Sequence, residues 1–197
     1  MNRLLACLPD RLGLFSLGAL LVLTFSGCLT VEFKEYHIKL KNGQSGEATI
    51  RFINILSESD DTTDITKEDF QTLIDTYMNG NKFERDNPGF RNVKKRLYEE
   101  KGVLCGEISF SFDSLSTVRL FKFDKDSPYM YYASNPLSSE ALVETNGIVG
   151  EQWMPVVFWK KDAREFYVKT RVISDARFRT SLLKQYRDWL AAQTKKK

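Results

Sequence analysis

Between Glu107 and Phe112 the chain reads Glu-Ile-Ser-Phe-Ser-Phe, so Ile108, Phe110 and Phe112 alternate strictly with Glu107, Ser109 and Ser111. Successive side chains of an extended strand point to opposite faces, and this period of two therefore dictates a β-strand with one apolar face. Residues 31–41 and 47–56 carry the same period: Tyr36, Ile38 and Leu40 recur on the first, Ala48, Ile50 and Phe52 on the second. The Asn-Gly-Gln-Ser-Gly between them predicts a hairpin. A partner for the Ile108 strand is predicted over residues 93–99, turned by Glu-Glu-Lys-Gly, although Val93 and Leu97 also suit a short helix. Further strand-like runs, "VRLFKF", "PYMYY", "ALVETNG", "MPVVFW" and "EFYVKTRVI", follow one another as an antiparallel meander. The last two are joined by "KKDAR".

Two helices complete the pattern. Phe70, Leu73, Ile74, Tyr77 and Met78 recur at helical spacing behind Thr66, which with Asp69 has the spacing of an N-terminal cap, and Asn79 and Gly80 close the segment. From Ser174, read as a cap, to about Gln193, Phe178, Leu182, Tyr186 and Trp189 form one stripe, with Arg179, Lys184, Arg187 and Asp188 outside it. The expected fold is α+β: an antiparallel meander, one internal helix, and a C-terminal helix packed on the sheet. With 197 residues, of which 42% are hydrophobic, the chain has length and apolar supply for one domain of ordinary size.

The N-terminal segment carries a different message. Arg3 and Arg11 precede residues 12–26, which hold no charge and end in small residues. Basic, then apolar, then small is the order of a secretory signal. Counted through Val31 the run is also long enough to span a bilayer as a retained helix. Phe25, Ser26, Gly27 and Cys28 resemble the lipobox of bacterial lipoproteins, with Phe25 in the place of the usual Leu. That resemblance implies cleavage before Cys28 and acylation of its thiol, a nucleophile soft enough to take an alkyl group. Two or three acyl chains anchor a protein firmly, at about 0.8 kcal/mol for each buried methylene. The expected organisation is a signal peptide over residues 1–27, a lipidated tether over 28–31 and a single extracytoplasmic domain over 32–197. Leu29 lacks the Asp that tends to retain lipoproteins at the inner membrane, which favours the outer membrane.

Charge and reactive residues exclude several functions. Without residues 1–27, which contain Arg3, Arg11 and Asp10, 27 basic and 25 acidic residues remain, and the only basic run is Lys195, Lys196 and Lys197. No concentrated basic face for nucleic acid is expected. Cys105 is the one cysteine left to an exported domain, so no intramolecular disulfide is expected, and its strand context predicts a small hydrophobe. His37 is the only histidine and has no partner in the sequence; zinc clusters, a G-x-S-x-G elbow and a phosphate-binding glycine loop are all lacking. No catalytic residues, no metal and no cofactor are expected, and the chain is read as a non-enzyme. Glu58, Asp60, Asp61 and Asp64 lack the glycine and terminal glutamate of a calcium loop and predict a solvated acidic loop.

Aromatic crowding is the remaining feature. Tyr129, Tyr131, Tyr132 and Trp153 are candidates for contact with a ligand or partner, and Tyr131 and Tyr132 must face opposite ways in a regular strand. The hairpin after the cysteine, the "SFSFDSL" of residues 109–115 and the "ETNGIVGEQWMPVVFW" of residues 144–159 together resemble the LppM-like domain of bacterial lipoproteins. What the resemblance implies is a β-rich extracytoplasmic domain, non-enzymatic, with an envelope or lipid-binding role. The expected function is that of a lipid-anchored envelope protein. It would be held to a membrane through Cys28 and bind an apolar small molecule or an envelope protein between its sheet and its C-terminal helix. A structural subunit of an envelope complex, or a hydrolase, are the alternatives.

Overall fold

The computed structural model describes residues 28–60, 62–132, 140–151, 154 and 156–195, with backbone alone at Cys28. The chain is α+β, with two antiparallel sheets and helices packed against the larger. Strand β1 (Cys28–Leu40) and strand β2 (Gly46–Ser59) form the predicted hairpin, paired from Cys28 with Glu58 to Leu40 with Gly46. Its loop is held by Asn42, whose Oδ1 accepts from the amides of Gln44 and Ser45 at 2.9 and 2.8 Å. Strand β3 (Arg91–Glu100) pairs with β4 (Val103–Phe112), as the alternation predicted. Lys101 and Gly102 between them both have positive φ, 51° and 78°, which is what a two-residue hairpin turn of the primed type needs.

The larger sheet runs β3-β4-β2-β1-β10-β7, where β7 is Glu140–Thr145 and β10 is Glu165–Val172. A short strand, β11 (Phe178–Ser181), pairs with the far end of β2. The smaller sheet is β5-β6-β9-β8, made of Leu120–Phe121, Tyr129–Tyr132, Val156–Trp159 and Ile148–Val149. The strands β9 and β10 joined by "KKDAR" thus lie in different sheets, and this connection carries the chain from one layer to the other. Ile38, Leu40, Phe110, Phe112, Phe166 and Val168 of the large sheet pack against Leu120, Tyr129, Tyr131, Val157 and Trp159 of the small one.

A second apolar cluster forms at the other end of the same large sheet. Helix α1 (Thr66–Thr72) continues as a π-helical segment, Leu73–Met78, and is followed by a short helix α2 (Lys82–Asp86). Phe70, Leu73 and Ile74 meet Val31, Ile55 and Leu104 of the sheet and Leu182, Leu183 and Tyr186 of the C-terminal region. The residues on this side change parity along β2, from Ala48, Ile50 and Phe52 to Ile55 and Ser57. Asn54, at φ 57°, sits at the change. One left-handed residue in an extended strand shifts the alternation by one position.

Three expectations are corrected. Thr66 is the first residue of α1 and caps nothing; the N-cap position is Ile65, without a side-chain cap, and Asp64 just before it accepts from the Thr66 amide at 3.0 Å. The C-terminal helix, α3, spans Leu183–Thr194, because Phe178–Ser181 is taken up by strand pairing with β2; Phe178 is exposed and Ser174 only closes a turn with Ala176. Residues 28–31 are no linker: they are in β1, in register with Glu58, Ser57, Leu56 and Ile55. Helix α3 lies on the sheet as expected, with Tyr186 Oη donating to the Leu97 carbonyl at 3.1 Å and Gln185 to Thr66 Oγ1 at 2.6 Å.

Candidate functional site

The two covering layers, small sheet and helices, leave a strip of the large sheet open between them. A two-lobed cleft occupies it, with lobes of about 190 and 340 Å³ that share Lys34, Phe52, Phe83 and Ile108. Ligand sites of proteins commonly fall in the range of about 300–1,000 Å³ and are mostly apolar with a few placed polar groups.

The larger lobe is apolar. Its floor is Phe52 and Ile108, opened further by Gly106, where a side chain would press on Ile55 and Leu97 at 3.2 and 3.4 Å. Its wall is Tyr77 and Met78 of the π-helical segment and Phe83 of α2. Phe83 is fixed by ring contacts with Phe52 and Tyr77, at centroid separations of 5.8 and 5.2 Å. Lys95 ties the wall to the sheet, donating to the Gly80 carbonyl at 2.7 Å and to Glu84 at 2.9 Å. At its outer end the lobe reaches Leu29, Thr30 and Val31, the residues directly after Cys28. None of the lining residues comes from α3, so the cleft lies beside the internal helices and away from the C-terminal one.

The smaller lobe carries the polar groups. Tyr36, Lys34 and Arg119 line it. Lys34 Nζ donates to Glu140 Oε1 at 2.6 Å, Thr170 Oγ1 to Glu140 Oε2 at 2.8 Å, and Tyr36 Oη to the same oxygen at 3.3 Å. Burial pushes the Glu140 carboxyl up, but the Lys34 and Thr170 donors outweigh it and hold the group below the usual carboxylate range, so it is ionised. Burial, reinforced by Glu140, drives the Tyr36 phenol far above its usual value, so it remains a neutral donor. Arg119 follows a 3₁₀ turn, Leu115–Val118, and adopts a left-handed backbone at φ 58°, unusual for a side chain of this size. Its guanidinium acts electrostatically on Tyr131, opposing the burial that raises that phenol, and among the described residues it forms no ion pair.

The aromatic candidates from the sequence are placed differently. Tyr131 and Tyr132 do face opposite ways, with 2% and 47% of their surfaces exposed. Tyr129 and Tyr131 are interior, Tyr129 edge-on to Phe166 at 5.0 Å, and so offer no surface to a partner. Tyr132 lies on the outer face of the small sheet. There Phe121, Met130, Phe158 and Ile148 stand in register across all four strands, with Phe121 and Ile148 exposed. Trp153 and the side chain of Cys28 lie outside the described residues.

His37 is half exposed, 4.0 Å from Glu35, with its ring tilted at 40° to that of Tyr167 at 4.8 Å. Cys105 is buried, and burial pushes its thiol up, away from reactivity. Among the described residues no three His, Cys, Asp or Glu side chains are grouped to hold a metal ion, and Glu58 is not in a solvated loop as expected but in β2, paired with Arg179 at 3.0 Å. No helix among them is long and apolar enough to cross a membrane. Protein-family models, curated proteins and solved structures give no match to this chain.

The sequence held one signal for the cleft that went unused. Lys34 has the parity of Tyr36, Ile38 and Leu40, a cation on the greasy face of an alternating strand. Arg119 and Glu140 carried none, being brought to Lys34 only by the sheet order.

Proposed function

We propose that the chain is a non-enzymatic lipoprotein of the cell envelope, anchored through acyl chains on Cys28, with the outer membrane as the favoured address. Its folded body holds an apolar ligand in the cleft between the large sheet and the internal helices. The observation that carries this reading is the apolar lobe itself, which runs from Phe52 and Phe83 to Leu29, the neighbour of the acylated cysteine. The resemblance to LppM-like domains belongs to the same reading.

The test is native mass spectrometry of the full chain after gentle extraction from membranes. A copurifying apolar molecule, lost when Phe83→Asp places a charge in the wall, is the expected result; a ligand-free protein speaks against the reading. For the anchor, Cys28→Ser is expected to release the chain from carbonate-washed vesicles, and unchanged sedimentation would refute it.

A second reading, a structural subunit of an envelope complex, is favoured by the apolar row across the outer face of the small sheet. Photo-crosslinking from Phe121 and Ile148 in living cells is expected to trap one recurring protein neighbour if that reading holds.

A further inference from the structure

We propose that the ligand is a free long-chain fatty acid, its carboxylate received by Arg119 and Lys34 in the smaller lobe and its tail laid through the larger one. This rests on the ligand-binding reading above and adds the chemical class. The charges decide it. Lys34 and Arg119 both line the small lobe, and the one carboxylate facing them, Glu140, is engaged by Lys34, Thr170 and Tyr36. Glu107, which lines the larger lobe, is engaged by Arg96, so one cation is left in excess in the smaller lobe of a mostly apolar cleft, and a cation drawn out of water calls for an anion. The guanidinium fork suits a planar carboxylate, taking it with two parallel hydrogen bonds.

Shape agrees with charge. The two lobes adjoin, sharing Lys34, Phe52, Phe83 and Ile108 in their linings, so a single chain that passes the Phe52 and Phe83 rings would occupy both the polar end and the apolar one. The larger lobe is lined in part by Leu29, Thr30 and Val31. A tail is therefore directed toward the anchored end of the domain and a head away from it, the same sense as in the leaflet that would supply the molecule. Backbone strain at Arg119 fits such a role, since a left-handed non-glycine residue is held only where its surroundings impose it. No covalent step is involved; the site binds and releases.

The experiment uses the full chain in its native membranes with two photoactivatable probes of equal chain length, a diazirine-bearing palmitate and the corresponding alcohol. Labelled peptides are identified by mass spectrometry. Palmitate is expected to label the peptides containing Phe52, Tyr77 and Phe83 about tenfold more than the alcohol, the ratio set by one charge-assisted contact. Arg119→Gln is expected to bring palmitate labelling down to the level of the alcohol, with an unchanged circular dichroism spectrum and a Cys105 still silent to iodoacetamide showing the fold intact, and Arg119→Lys is expected to retain most of the preference. Equal labelling by both probes in the wild type would overturn the fatty-acid assignment and leave the apolar-ligand reading standing. Absence of cleft labelling by either probe would overturn both.

Discussion

Trp159 Nε1 donates a hydrogen bond to Asn146 Oδ1 at 2.7 Å, and through it the small sheet is fastened to the large one. The same oxygen accepts from the Tyr167 amide of β10 at 2.9 Å, while Asn146 Nδ2 reaches the Glu165 carbonyl at 3.3 Å. Asn146 stands in the Thr-Asn-Gly turn after β7, and the indole lies against the glycine that follows.

Replacing that glycine is the first prediction. A Cβ on Gly147 would fall 2.4 Å from Val157 Cγ1 and 2.6 Å from Trp159 Cε2, which forces both side chains aside. Overpacking of this kind costs about 1–3 kcal/mol. Gly147→Ala is expected to lower stability by about 2 kcal/mol in urea denaturation and to change the near-ultraviolet circular dichroism of the tryptophans, with the far-ultraviolet spectrum preserved.

Asn54 should tolerate glycine better than alanine. Its left-handed backbone costs a residue with a Cβ about 1–2 kcal/mol, and its Nδ2 donates to Glu32 at 2.9 Å. Asn54→Ala is expected to destabilise by about 2 kcal/mol and Asn54→Gly by about half of that, read from denaturation midpoints.

Asp69 gives a dependence on pH. It is buried on α1 and accepts from Ser57 Oγ at 2.5 Å. Burial raises its carboxyl above the usual value, outweighing the Ser57 hydrogen bond, which lowers it. The folded state therefore holds this proton to higher pH than the unfolded chain does. The stabilisation is complete below the unfolded value and is lost as pH rises through the raised folded one. Asp69→Asn is expected to raise Tm relative to the wild type at about pH 8, with the difference shrinking toward about pH 3.

Cys105 should be silent until the protein unfolds. It is 1% exposed, with a thiol raised by burial. Iodoacetamide is expected to leave the native chain unmodified at about pH 8 and to alkylate Cys105 fully in denaturant; rapid native alkylation would contradict the buried placement.

The hairpins were legible because their signals are local. The alternation around Ile108 and the Glu-Glu-Lys-Gly turn act within ten residues, and the pairing of β3 with β4 follows from them. The small-hydrophobe character of Cys105 was readable for the same reason. The C-terminal stripe misled at its start: Phe178 has the right spacing for a helix with Leu182, but the open end of β2 offers the backbone a ladder, and pairing with Ser59 wins. The separation of β9 from β10 had no local mark, since both are apolar strands and only the packing of Trp159 against Phe166 across the layers distinguishes them. The cleft was least visible of all, because its floor changes parity at Asn54 and its polar end unites residues more than eighty positions apart. Lys34 and Glu140 meet only when β1, β10 and β7 stand side by side.

Strand β1 enters its ladder at Cys28, with no slack between that residue and the folded body. An extended run of 13 residues measures about 40 Å, and it leads from the helical end of the domain to the end covered by the small sheet. Under the acylation proposed for Cys28, the strand itself would be the mast. The body would not swivel on a loose leash, and Phe121 and Ile148 would be carried at a set height above the headgroups, where only something that reaches across the intervening gap would touch them.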